Sequence, residues 1–522
     1  MKKLLITATL LLLLALKPLF AQVEDGVDIR KVQRILTTLC YKPGPIDGLW
    51  GKRTANAVAE FFADEKKEYD GNLDKSEAEF IFTRAAVING LGKSKKCKSV
   101  VSKQNNKSSK KFALTAQQKS LLRCGAKLDD LIHLENVQIF DGCLLPEYPG
   151  QNISEQTLHL YLRMYLSWER FGKNHYESKP SKNPRVFKEE LKEFPYLTKQ
   201  LETTGLISYL YASDGQLIVD QKTPAERFGG EVKDNSKLWG ASVAKSMTAY
   251  LVGNAICKGY IDSAEQTLSD WRLLKGTLYE NARIIDLLNM RAGDHQHADK
   301  NGLKASGIHI NNKVLGHIIS DEIKNTEPAR AKYNYSELPP LLLLNYVIYK
   351  TENNFQSLLD HSFRDVAKTK HSVFFQRRIR SEITPGNLIG TTKRDYQAQP
   401  VFYATRHDYL RIAQSMLDAW NNDDCLGDYL KTLYKNRKSK GKGHSSVEPF
   451  NYSTGLFKSY GGFFHTDYQG LRSRNIMQMH GYGGQHVWID FDNSRIVATN
   501  SIHENYNWKR LIADVIKSGK LR

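Results

Sequence analysis

Acidic residues are scarce in this sequence. Its 522 residues hold 56 Asp and Glu against 75 Lys and Arg, a formal charge of +19. An excess of this size suits polyanionic surroundings, whether nucleic acid, anionic lipid or an acidic wall polymer. Beyond residue 22 no apolar run reaches membrane length, which excludes further spanning helices. No internal repeat is visible, so solenoids and propellers are excluded. The six cysteines form no CxxC pair and no Cys/His cluster, so neither metal nor cofactor is expected.

What is present begins with a leader. Lys2 and Lys3 precede a 13-residue, mostly apolar run from Leu4 to Leu16, followed by Lys17, Pro18 and Ala21. Residues 1–22 therefore read as a secretory signal, for a periplasmic or secreted protein. Leu19 is a poor residue three positions before the cleavage point, so an uncleaved N-terminal anchor is the alternative. Removing the three leader lysines lowers the charge to +16, and export argues against nucleic acid as the partner. An oxidising destination permits disulfides. Cys40 and Cys97 fall in the N-terminal part, Cys124 and Cys143 flank a short segment, and Cys257 and Cys425 are either paired or free buried thiols.

The mature chain divides into blocks. Residues 28–90 open with a helical spacing at Ile29, Val32, Leu36 and Leu39. A turn-rich loop, Pro43 to Gly51, then presents Trp50, and a second helix follows Thr54. Residues 91–112 form a linker with eight lysines and no acid, too polar to bury a core. Residues 113–201 show helical patterning, as from Leu158 to Trp168, without a chemical motif. Residues 202–522 open on a hairpin pattern around Ser213-Asp214-Gly215. They close on strands at 487–490 and 495–498 and a helix near 508–516, which makes an antiparallel sheet covered by helices, an α+β domain.

The chemistry centres on Gly240-Ala241-Ser242-Val243-Ala244-Lys245. A serine opening a helix gains from the positive end of the helix dipole, and its own N–H can face a substrate carbonyl. Lys245 stands one turn along the same face, where its amine can activate the hydroxyl. The spacing alone means little: Ser108–Lys111 and Ser439–Lys442 repeat it in basic, turn-like sequence. Two further segments single out Ser242. One is Tyr333-Asn334-Tyr335-Ser336-Glu337, with Tyr335 93 residues after the serine. The other is His480-Gly481-Tyr482-Gly483-Gly484-Gln485, just before a strand.

In order and spacing these segments resemble the three motifs of the serine β-lactamase and penicillin-recognising family, in its class C β-lactamase, D-aminopeptidase and carboxylesterase branch. Ile284 to Gly293 resembles the family's "DLLxMxSG" segment between the first two motifs. The resemblance implies a β-lactamase-like fold with Ser242 as nucleophile, Lys245 as its activator and Tyr335 as a proton shuttle. The Tyr335 phenol would be acidified by the Lys245 ammonium. An oxyanion hole would join the N–H of Ser242 to one from the glycine segment, with Gln485 the first choice. Two positions depart from the pattern. Glu337 replaces the usual Asn, and either selects a cationic or amine-bearing substrate or pairs with Lys245. The third motif lacks Lys, with Tyr482 favoured over His480 in its place, so efficient β-lactamase activity is not expected.

The first block is similar to three-helix peptidoglycan-binding domains of the "DGxxGxxT" kind, through Tyr41 to Gly51 and Thr54. That resemblance implies cell-wall contacts from Asp47, Gly48, Trp50 and Thr54. Together the readings predict an exported serine hydrolase that acts on an amide or ester through a covalent acyl-enzyme. Its expected partners are peptidoglycan and a small amide or ester substrate, as in a D-Ala carboxypeptidase or endopeptidase. A carboxylesterase or short-oligomer amidase is the alternative, and a catalytically inactive wall-binding protein is the alternative of another class.

Overall fold

The computed structural model describes residues 23–46, 48–90, 155–166, 175–310, 313–382, 396–441 and 453–521. The expected signal, the lysine linker, Asp47 and the stretch from 113 to 154 lie outside them. The chain divides into two compact units, Met1–Ala113 and Leu114–Arg522. Among the described residues no helix is long and apolar enough to cross a membrane.

The first unit contains helices α1 (Ile29–Thr38), α2 (Lys52–Asp64) and α3 (Lys75–Gly90). Asp28 caps α1 by accepting the Lys31 amide at 3.0 Å. The spaced apolar residues Val32, Leu36 and Leu39 meet Val58, Phe61, Phe62 and Ile81 in one small core. Gln33 organises the turn-rich loop: its amide nitrogen donates to the Leu49 carbonyl (3.1 Å) and Thr54 Oγ1 (3.2 Å), and its oxygen accepts the Gly48 N–H (2.9 Å). Thr54 Oγ1 donates to the Pro43 carbonyl at 3.0 Å. Gly48 and Thr54 thus hold the loop in shape, while Trp50 packs partly buried against the core.

The second unit is α+β, with mixed helices and antiparallel sheets. Its main sheet has nine strands. In spatial order they are β10 (Lys438–Ser439), β11 (Phe457–Gly461), β12 (Phe464–Tyr468), β13 (Ile476–Gly481), β14 (Gln485–Asp490), β15 (Arg495–Ser501), β3 (Leu206–Ser213), β4 (Gln216–Lys222) and β2 (Lys188–Glu189). All neighbours run antiparallel except β2 and β4. The β3–β4 turn sets Asp214 (φ 50°) and Gly215 (φ 75°) in the left-handed region, as a two-residue hairpin requires. A second sheet orders β1 (His175–Ser178), β8 (Val373–Glu382), β9 (Tyr396–Ala404) and β5 (Leu238–Trp239), and β6 (Ala298–Asp299) pairs with β7 (Gly302–Leu303). The sheets therefore draw on residues upstream of Glu202.

The main sheet is covered on both faces, and its strands divide their side chains with period two. Val487 and Ile489 on β14, with Ile496 and Ala498 on β15, join the large core around α6 (Val243–Cys257), α8 (Leu338–Thr351) and α9 (Arg406–Asn422). Trp488 and Val497 point the other way, to α5 (Pro195–Thr203) and the C-terminal Leu511, Ile512, Val515 and Ile516. Burial on two faces explains why these strands read as nearly continuous apolar runs.

Cys257 at the end of α6 and Cys425 at the start of α10 (Cys425–Lys435) are disulfide-bonded, 168 residues apart. Cys40 is disulfide-bonded as well. A crosslink closing so long a loop removes much freedom from the unfolded chain. The double variant Cys257→Ser, Cys425→Ser is expected to lose about 2–4 kcal/mol of stability, read as a lower denaturation midpoint in urea. An unchanged midpoint would show that the crosslink contributes nothing.

Candidate active site

The nucleophile candidate stands at a forced turn. β5 ends at Trp239, and the Gly240 amide still donates to the Phe402 carbonyl of β9 at 3.0 Å. A side chain at Gly240 would come within 2.6 Å of the Tyr409 hydroxyl, so only glycine fits. Ala241 then adopts φ 48°, a strained conformation for a residue with a Cβ. This reversal puts Ser242 at the N-cap of α6, where its hydroxyl makes no capping bond. Ser242 is partly accessible, while all of α6 from Val243 to Ala255 is buried.

Lys245 lies inside this apolar helix, with its side chain 2% exposed. Its ammonium donates to Ser242 Oγ at 2.9 Å and forms a short ion pair with Glu337 Oε1. It also lies 4.7 Å from the centre of the Tyr335 ring. Burial alone would drive the Lys245 amine down, but the Glu337 carboxylate together with Tyr335 overcomes it and the lysine is held above its ordinary value. Of the two roles open to Glu337 in the sequence, the structure shows the pairing with Lys245.

Tyr335 corrects one expectation. The Lys245 charge and hydrogen bonding to Ser242 and Lys245 do pull its phenol down. Burial outweighs them, helped by the Glu337 charge, and the phenol is pushed up instead.

The Tyr335 segment is cradled from below. Asn334 Nδ2 donates to Asp294 Oδ1 (2.9 Å) and to the Ala298 carbonyl (3.0 Å), and the Asn334 amide donates to the Met290 carbonyl (2.8 Å). Asp294 is buried and also accepts the Tyr279 hydroxyl at 2.7 Å. Gly293 (φ 81°) lets the backbone of Ala329 approach closely. The stretch between the first two motifs, with helix α7 (Ile284–Leu288), is therefore the bed on which Tyr335 rests. Tyr335 meets Tyr460 edge-on at 6.1 Å, and Tyr460 meets His465 at 4.9 Å.

The glycine segment is the turn of the β13–β14 hairpin. A Cβ on Gly481 would fall well inside contact with the Gly240 carbonyl and 3.2 Å from Ala241 Cβ, so the strand end packs directly on the serine turn. Gly483 (φ 80°) leaves room for the Tyr165 hydroxyl, which donates to the Tyr482 carbonyl at 2.5 Å. Tyr165 belongs to α4 (Glu155–Leu166), the block without a motif. Gly484 (φ 89°) makes room for Glu504 and Tyr506. Gln485 pairs with Gly481 across the hairpin, and its side-chain amide donates to the Ser501 carbonyl.

His480 Nε2 lies 2.6 Å from Glu504 Oε1, so this imidazole is engaged within the fold. His486 stands opposite His480 in the register and 3.9 Å from the same oxygen. Together the three could offer donors to a metal ion. A separation of 2.6 Å is that of a hydrogen bond, however, and ligands around tetrahedral zinc lie about 3.3 Å apart. Tyr165, Asp294, Tyr460 and Glu504 were not legible as site residues. A helical pattern marked the element of Tyr165, but nothing in the sequence marked its partner.

The family model described as "Putative peptidoglycan binding domain" matches residues 25–80. No curated protein sequence matches the chain. Among solved structures, the chain is similar to a "Putative 6-aminohexanoate-dimer hydrolase from Bacillus anthracis" (14% identity, 71% of this chain and 98% of that one, TM-score 0.48). It is also similar to FmtA from Staphylococcus aureus (15%, 65% and 95%, 0.41) and to EstCE1, "a hydrolase with promiscuous acyltransferase activity" (13%, 61% and 96%, 0.42). The three-helix unit that opens this chain is thus similar to peptidoglycan-binding domains.

Proposed function

We propose that this protein is an exported, cell-wall-linked serine hydrolase that opens an amide or ester through an acyl-enzyme on Ser242. The observation that carries this reading is the buried contact of Lys245 with both Ser242 Oγ and Glu337. An ion pair removed from water costs free energy, and a lysine placed there without work or a partner is rarely kept. Tyr335, a hydroxyl donor beside the serine, hands a proton to the leaving group. The N–H of Ser242 at the helix start and an N–H from the adjacent hairpin turn, Gln485 by first choice, receive the oxyanion.

Residues 28–90 hold the enzyme on peptidoglycan through Asp47, Gly48, Trp50 and Thr54. Tethering to an extended polymer raises the effective concentration of its bonds, which favours stem-peptide amides as substrate. One observation supports a second reading, an esterase or short-oligomer amidase. The third motif has no lysine, and His480 is turned to Glu504 rather than to a substrate carboxylate.

One experiment divides these. The full chain is incubated with isolated sacculi, and pelleted protein and released D-Ala are measured together, with turnover of p-nitrophenyl esters in parallel. Pelleting with D-Ala release supports the first reading. Ester turnover without D-Ala favours the second. Pelleting with neither activity would leave only a wall-binding protein.

A further inference from the structure

Glu337 occupies the N-cap position of α8. An acceptor side chain at that position ordinarily takes the N–H of the second or third helical residue. Here those residues are Pro339 and Pro340, which have no N–H to give. The Glu337 side chain accordingly makes no capping bond, and its carboxylate is turned onto Lys245. Two prolines that look like simple helix starters thus leave this carboxylate no N–H to accept at those positions.

We propose that Glu337, released from capping by Pro339 and Pro340, is the proton partner of Lys245, so that the pair and not the Tyr335 phenolate is the base that activates Ser242. This rests on the reading of Ser242 as nucleophile. Lys245 is charged at rest and donates to Ser242 Oγ, so it cannot accept the serine proton as it stands. As a substrate displaces water from the pocket, one ammonium proton passes to the Glu337 carboxylate, because a neutral pair suits a dry site better than two charges. The Ser242 proton then moves to the Lys245 amine while Oγ bonds to the carbonyl carbon and the π pair moves to the oxyanion. On collapse the carbonyl re-forms and the bond to the leaving group breaks. That group takes the Tyr335 proton, Tyr335 is refilled from Lys245, and Lys245 recovers its proton from Glu337. One proton has travelled from serine to leaving group, Ser242 carries the acyl group, and Lys245, Glu337 and Tyr335 are as they began.

The other titratable groups around the pair are Tyr335 in its own segment, Tyr460 on β11 and His465 on β12. Behind His465 lies Lys440, with its Nζ 2.8 Å from His465 Nδ1. The His480–Glu504 contact lies beyond, on the glycine hairpin and the segment after β15. Burial drives Tyr460 up and His465 well down, so both stay neutral through the working range. Neither can replace Glu337 as a resident anion.

The test is the rate of covalent labelling by a fluorophosphonate between pH 6 and pH 10, with the thermal midpoint recorded for each variant. The wild-type rate should be flat through neutral pH. In Glu337→Gln the buried lysine has no internal acceptor and burial draws its amine down, so the rate should rise about tenfold per pH unit until that amine titrates and then level off near wild type. Pro340→Ala keeps the carboxylate but restores a competing N–H, and should show a smaller shift of the same sign. Tyr335→Phe should lose less than about tenfold with this probe, whose fluoride leaves without a proton. Parallel pH profiles for wild type, Glu337→Gln and Pro340→Ala would overturn the proposal, as would collapse of Tyr335→Phe with the activated probe. Labelling that survives Ser242→Ala would instead overturn the reading on which it rests.

Discussion

Ser242→Ala is expected to abolish covalent labelling of the purified protein, with a loss of at least about 10³-fold in rate and only a small fall in thermal midpoint. The two halves follow from different facts. Removing the attacking oxygen removes the covalent route altogether, because no other atom can form that bond. The stability effect is small because this N-cap serine makes no capping bond and Lys245, which loses Ser242 Oγ as an acceptor, keeps Glu337. At an ordinary N-cap the same substitution would cost about 1 kcal/mol. Labelling measured by in-gel fluorescence beside a melting curve separates the outcomes. A labelled alanine variant would place the nucleophile elsewhere, and an unlabelled wild type would remove the enzyme reading.

Gly481→Ala should be nearly as damaging, though Gly481 carries no reacting group. Its missing side chain is what lets the end of β13 lie on the Gly240 carbonyl and the Ala241 methyl. Neither neighbour can yield easily. Gly240 is fixed by its bond to Phe402 and by the Tyr409 hydroxyl, and Ala241 is already strained. The added methyl must therefore push the hairpin away from the serine turn. A displacement of about 1 Å at a reacting centre costs roughly 100-fold, so labelling should fall by about that factor, with a lowered melting temperature from the strain. Gly51→Ala, where the backbone is extended (φ −121°) and a Cβ would meet nothing within 4 Å, is the control. Equal labelling by the two variants would show that the hairpin does not depend on this contact.

The two departures from the family pattern mark how far the sequence could be followed. Both were visible as wrong letters, Glu337 for Asn and no lysine in the third motif. Their meaning was not visible. That Glu337 turns to Lys245 depends on two prolines beyond it and on a helix more than ninety residues earlier in the chain. That His480 is engaged depends on Glu504, which lies two strands later and belongs to no motif. The expected acidity of Tyr335 failed for a related reason. A spacing says which charge is near a phenol, but burial, which here outweighs that charge, is a property of the surrounding fold.

Local rules were enough for the elements themselves. The Asp-Gly hairpin, the apolar strands at 487–490 and 495–498 and the 3.6-residue spacing of α1 depend only on near neighbours, and these were readable in order. Ser242 was legible as a candidate, which Tyr335 and the glycine segment separate from two other SxxK pairs. Tertiary structure alone decided what Ser242 is surrounded by. It brought Lys245, Glu337 and Tyr335 together in one buried cluster and set Gly481 against the serine turn. It also placed Tyr165, from a helix with no motif, beneath the glycine hairpin. Those contacts join residues up to 317 positions apart, and burial and ion pairing over such separations arise only when the chain has packed.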